Sequence, residues 1–149
     1  MYSKILIAHD LSKEADIALQ RAVQLAEQHQ SALSILHVIE DSQSKQAFIS
    51  LQKKIEPQLR ARMPEALAAQ VTVYFKHGKA ADAVLSFLQE QAYSLLVLGQ
   101  HHKARPELFK GSNLERIARE CTIPVLLAVN ADVRAYREAV VALDSSLIS

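Results

Sequence analysis

Five short, continuous apolar runs punctuate this chain, and between them apolar residues recur at helical spacing. The runs are Lys4 to Ala8, Ala32 to Val38, Val71 to Phe75, Leu95 to Leu98 (closed by Gly99) and Pro124 to Val129. Unbroken apolar strands are buried on both faces, which requires a parallel sheet covered by helices on each side. After Ser12 the period changes, with Ala15, Ala18, Leu19, Ala22, Leu25 and Ala26 on one helical face. Ser12 is placed to cap that helix, and Glu14 and Asp16 lie in its first turn. Gln46 to about Ala69 reads mainly as helix, with Pro57 and Pro64 expected to start, kink or divide it. Ala80 to Gln91 and Ser112 to Cys121 supply the remaining helices. The expected fold is α/β: an open, Rossmann-like, five-stranded parallel sheet with helices on both faces.

That architecture tells where function should be sought. Ligands of open α/β sheets bind beyond the carboxyl ends of the strands, where the strand order reverses. In this chain those ends are His9 to Ser12, His37 to Ile39 and the long segment from Gly99 to Ser112.

The end of the chain repeats its beginning. Tyr136 to Ser146 aligns with Tyr2 to Ser12 at a constant offset, with identities at Tyr2/Tyr136, Ala8/Ala142, Asp10/Asp144 and Ser12/Ser146. Ile5 to Ala8 and Ala139 to Ala142 are apolar throughout. A repeat of this kind implies one complete unit over residues 1–129, a linker over 130–135, and the first strand of a second, truncated unit over 136–149. The chain then reads as the front half of a tandem protein, or a remnant of one. The bland alternative is a coincidental strand-and-turn pattern in a C-terminal tail.

Composition bounds the function. The 149 residues suit one domain, and 17 Lys and Arg against 16 Asp and Glu give a net charge of +1. Such a balance predicts no general attraction to nucleic acid or anionic membrane. The single cysteine, Cys121, excludes an intrachain disulfide and is expected to be a buried, inert thiol in a reducing compartment. No signal segment opens the chain, and Ile123 to Val129 is far shorter than the ~20 apolar residues of a membrane span. A soluble, cytoplasmic protein is expected.

The segment from Gly99 to Asn113 carries the most chemistry. Gly111 and Ser112 precede a helix, where backbone N–H groups and a hydroxyl favour an anion. Lys103, Arg105 and Lys110 add positive charge nearby. A Gly-Ser pair is also a routine helix cap, and the cations also suit a solvated loop.

Taken in order, these segments resemble the universal stress protein family over residues 2–129. The likeness rests on Ile5 to Ser12, Leu33 to Val38, Gly78 before a helix, Tyr93 to Gly99, Gly111-Ser112, and Cys121 to Val129. It implies the adenine nucleotide alpha-hydrolase-like variety of the fold, with the terminal repeat supplying an extra C-terminal strand. Members of the family that bind ATP carry Gly-x2-Gly-x9-Gly followed by Ser or Thr. Here Gly99 fills the first position and Gly111-Ser112 the last pair, but His102 replaces the middle glycine and the loop is one residue shorter. The resemblance assigns adenosine contacts to Asp10 and Val38, and phosphate contacts to Gly99, Gly111, Ser112 and Asn113. ATP is the one cofactor it suggests. The paired His101-His102 is similar to the branch of the family that does not bind nucleotide.

Each residue also has a duller role. Asp10 is placed to cap the turn that follows it. His9 and His37 read as packed, hydrogen-bonded histidines. His9, Asp10, His101 and His102 would come together if the first and fourth strands are neighbours, but their spacing matches no familiar zinc pattern and no metal is assigned. No nucleophile with a base, nor a pair of carboxylates placed for acid–base work, argues for an enzyme. The expectation is a stress-response regulatory module with weak or lost nucleotide binding. It would act as a homodimer or by pairing with a second tandem domain, towards protein partners the sequence does not name. An ATP-dependent switch and a metal-binding stress protein are the alternatives.

Overall fold

A computed structural model describes residues 3–40, 44–99 and 111–128. The elements run β1 (Lys4–Ala8), α1 (Lys13–His29), β2 (Ala32–Ile39), α2 (Lys45–Arg60), α3 (Glu65–Ala68), β3 (Thr72–His77), α4 (Ala80–Glu90), β4 (Leu95–Gly99), α5 (Gly111–Glu120) and β5 (Val125–Ala128). The five strands form one sheet in the order β3-β2-β1-β4-β5, and every pair is parallel. The repeat over 136–149 and the linker before it lie outside the described residues.

Alternation along each central strand sends successive side chains to opposite helical layers. Ile5 and Ile7 of β1, Ile35 of β2 and Val97 of β4 pack with Ala18, Leu19 and Ala22 of α1 and with Ile55 and Leu59 of α2. Leu6 and Ala8, Leu36 and Val38, and Leu96 and Leu98 pack on the other side with Val84 and Phe87 of α4 and Leu114 and Ile117 of α5. Both layers are built of buried apolar side chains, and each fully buried aliphatic one contributes ~1.5–3 kcal/mol. Among the described residues, no helix is long and apolar enough to cross a membrane.

Local chemistry sets the helix limits. Ser12 caps α1, its hydroxyl accepting from the Ala15 N–H, and Ser44 caps α2 in the same way through Ala47. Pro57 is accommodated inside α2, whereas Pro64 ends the irregular stretch after it and opens α3. Helix α4 has no side-chain cap at its own N-cap residue, Lys79. The Glu40 carboxylate, just past β2, accepts the Ala80 N–H at 3.0 Å instead. At the opposite end of the strands, β1 and β4 are tied where they begin. The Lys4 N–H donates to Ser94 Oγ at 3.1 Å, and the Ser94 N–H donates to the Lys4 carbonyl at 2.8 Å.

Candidate functional site

The strand order reverses between β1 and β4, the two strands joined by the register Ile5↔Leu95 to Ile7↔Val97. The crevice beyond their carboxyl ends is therefore bounded by the turn after Ala8 on one side and by Gly99 on the other. Two of the expected site residues, Asp10 and Gly99, border it.

The turn from His9 to Ser12 is held by its own side chains. The His9 N–H donates to the Leu36 carbonyl at 2.9 Å, extending the ladder one step beyond Ala8. Leu11 then turns into the left-handed region at φ 68°, an uncommon conformation for a residue with a bulky side chain. Its N–H donates to His9 Nδ1 at 2.9 Å. The Asp10 Oδ1 accepts from the Ser12 N–H at 3.1 Å and from the Ser12 hydroxyl at 2.5 Å. The same Ser12 oxygen receives the Ala15 N–H at 3.0 Å. Asp10 thus fills the turn-capping role foreseen for it, and the turn runs without a break into the cap of α1.

His9 is fully buried, and its tautomer follows from its partners. An amide N–H can only donate, so Nδ1 is unprotonated and Nε2 carries the hydrogen, which it gives to Asp16 Oδ1 at 2.9 Å. The same carboxylate oxygen receives Arg62 Nη1 at 2.5 Å, linking β1, α1 and the stretch between α2 and α3. His37, also buried, donates Nδ1–H to the His9 carbonyl at 2.7 Å and stands edge-on to Phe75. Burial holds both imidazoles below the ordinary pKa of 6.5, outweighing the hydrogen bonds and the nearby carboxylates that favour the charged form. Both are packed, hydrogen-bonded histidines, as their sequence positions suggested.

Gly99 answers to a demand that the sequence did not reveal. A β-carbon there would lie 2.3 Å from the Glu14 carbonyl oxygen and 2.9 Å from the Ala15 nitrogen. The first turn of α1 presses directly on the end of β4, so a bare backbone is needed whether or not a phosphate approaches. Val38, the other adenosine-side candidate, lies one strand away on β2, with its side chain 2% exposed in the layer shared with α4 and α5. Gly111 and Ser112 form the first residues of α5, and Asn113 is half-buried in the same turn. His102 lies outside the described residues, as does its neighbour His101. Among the described residues, no group of three or more His, Cys, Asp or Glu side chains is placed to hold a metal ion.

With this crevice in place, likeness to other proteins becomes informative. The sequence model of the universal stress protein family matches residues 1–128. The chain belongs to that family.

Universal stress protein YxiE of Bacillus subtilis is 27% identical over 146 residues, covering 85% of this chain and 99% of YxiE. Among solved structures, the universal stress protein UspA from Lactobacillus plantarum superposes with a TM-score of 0.69 at 21% identity, covering 85% of this chain and 97% of its own. A universal stress protein solved in complex with cAMP has a TM-score of 0.66 at 20% identity, covering 88% of this chain and 99% of that one. These likenesses support the five-stranded parallel fold. Within this universal stress protein, the residues that sequence reasoning missed are Asp16 and Arg62, the two groups that fix His9. The acidic first turn of α1 was a partial signal for Asp16; nothing local pointed to Arg62.

Proposed function

We propose that this universal stress protein is a non-catalytic regulatory module of the stress response that acts by pairing, with adenine nucleotide bound weakly at the β1–β4 crevice. The observation that carries this reading is the prior engagement of Asp10 and Gly99, the expected site residues that follow β1 and end β4. The Asp10 carboxylate oxygen Oδ1 is held by Ser12, and the open face of Gly99 is filled by the backbone of α1. A nucleotide recruiting Asp10 would have to compete with bonds that also steady the cap of α1, each worth ~1 kcal/mol. Pairing is supported by β5, which among the described residues lies at the edge of the sheet with no strand beyond it. A second copy or a second domain of the same family suits that edge, and the apolar run Ala139 to Leu143 offers a further strand to dock there.

Native mass spectrometry of the freshly purified full chain tests the reading. A nucleotide-free dimer is the expected result, weakened when residues 131–149 are deleted. Retained adenine nucleotide would overturn it.

That outcome would favour a second reading, a nucleotide-dependent switch. Its support is the start of α5 at Gly111, where the terminal Gly-Ser of the ATP-binding pattern stands, and the cAMP complex of a relative with the same fold. Calorimetric titration with ATP and cAMP separates the two by affinity.

A further inference from the structure

We propose that His9 positions the turn from Asp10 to Ser12 and does so only as the neutral Nε2–H tautomer, so that protonating this one buried imidazole releases the turn at the mouth of the crevice. The value of such a device to a ligand or partner rests on the crevice reading above; its operation does not.

The geometry is specific. Leu11 is held in the left-handed region, and its N–H ends on His9 Nδ1 at 2.9 Å. A proton added at Nδ1 would set two donors against each other at that distance, turning an attraction into a repulsion. The ring has no easy escape by rotation. Its Nε2–H is bound to Asp16 Oδ1 at 2.9 Å, and a positive ring strengthens that bond. His37 meanwhile holds the His9 carbonyl from β2. With the ring fixed at one nitrogen and the backbone fixed at its carbonyl, Leu11 is the member that must yield. Ser12 follows Leu11 directly and shares its hydrogen-bonded chain with Asp10 and Ala15, so the disturbance passes to both.

The charged and titratable groups that face His9, among the described residues, are Asp16 from α1, Arg62 from the stretch after α2, Asp10 in the turn and His37 on β2. Asp16 and Asp10 favour the charged ring, while Arg62 and burial oppose it. The balance leaves the ring neutral near pH 7 and able to charge on acidification.

The test is 1H–15N NMR on the full, ligand-free chain, titrated from about pH 7.5 to about pH 5. The expected result is an Nε2–H tautomer at neutral pH. The Leu11 and Ser12 amides should then shift with the same midpoint as the His9 ring, below 6.5. His9→Asn offers a non-titrating acceptor to Leu11 and should leave both amides flat. Asp16→Asn keeps the acceptor for Nε2–H but removes its charge, so ring and amide midpoints should fall together. A Leu11 amide that stays still while His9 protonates would overturn the proposal. So would an unchanged amide titration in His9→Asn, or a ring that stays neutral until the chain unfolds. If His9→Asn does not fold, the Asp16→Asn series decides alone. Because no ligand is present, a failed nucleotide titration would count against the proposed function and not against this one.

Discussion

The carbonyl oxygen of Glu14 stands where a β-carbon on residue 99 would have to go, only 2.3 Å from its ideal position. The obstacle is helix backbone, which cannot swing aside as a flexible side chain would. Gly99→Ala must therefore push α1 away from β4 or distort the end of the strand. We expect a loss of about 3 kcal/mol, at the upper end for overpacking by one carbon. Urea denaturation measures it, and a loss well under 1 kcal/mol would show that α1 shifts freely.

Acidification should destabilise the fold before the carboxylates titrate. His9 and His37 have folded-state pKa values lowered from 6.5, chiefly by burial. Between that lowered value and about 6.5, the unfolded chain binds more protons than the folded one. The contribution is complete above about pH 6.5 and is lost as pH falls through that value towards the folded-state pKa. The urea midpoint should accordingly be lower at about pH 5.5 than at about pH 7.5, and less so in His9→Asn. Equal midpoints in the parent protein would contradict the assignment.

Glu40 supplies a helix cap from outside its helix, accepting the first N–H of α4. Removing it in Glu40→Ala leaves Lys79, which provides no side-chain acceptor, as the cap. The expected cost is about 1 kcal/mol, with Glu40→Gln recovering part of it through the retained oxygen. Thermal unfolding of the three proteins checks the order.

Helix α1 ends on Gln30, left-handed at φ 53°, whose N–H and that of Ser31 both return to the Ala26 carbonyl. Glycine reaches this conformation without the β-carbon penalty. Gln30→Gly should stabilise the protein by about 1 kcal/mol, less the added freedom of its unfolded chain. A decrease in the urea midpoint would mean that the side chain of Gln30 holds something more than its own turn.

Much of the fold was legible because its signals are local. The apolar runs of the four strands other than β3 are found almost where they were read, since burial on both faces leaves few polar residues to blur them, Ser34 and His37 of β2 among them. Strand β3 begins and ends later than its apolar run suggested, continuing through Lys76 and His77. It is an edge strand whose middle residues are half-buried, so burial imposes less on its composition. Ser12 as a cap was readable from the acidic turn beside it. Pro57 did not divide the helix, because α2 carries on to Arg60 around it. The site was less legible. Gly99 was recognised as a necessary glycine, but the reason lies in α1, more than eighty residues earlier in the chain. Arg62 reaches Asp16 across 46 residues, and Glu40 reaches Ala80 across 40. No periodicity or spacing marks such pairs, because their geometry exists only after the sheet has formed.

The tie between Lys4 and Ser94 joins residues ninety apart, at the seam where the strand order reverses. Its partners on either side are more local, since β1–β2 and β4–β5 each close over a single helical crossover. Closing the longest loop carries the largest entropic penalty before any contact repays it. During synthesis β1 cannot gain its β4 neighbour until more than ninety residues have been made, whereas β2 is available to it far sooner. The crevice thus has no second wall until β4 has emerged, and a nascent chain shorter than that lacks the proposed nucleotide site altogether.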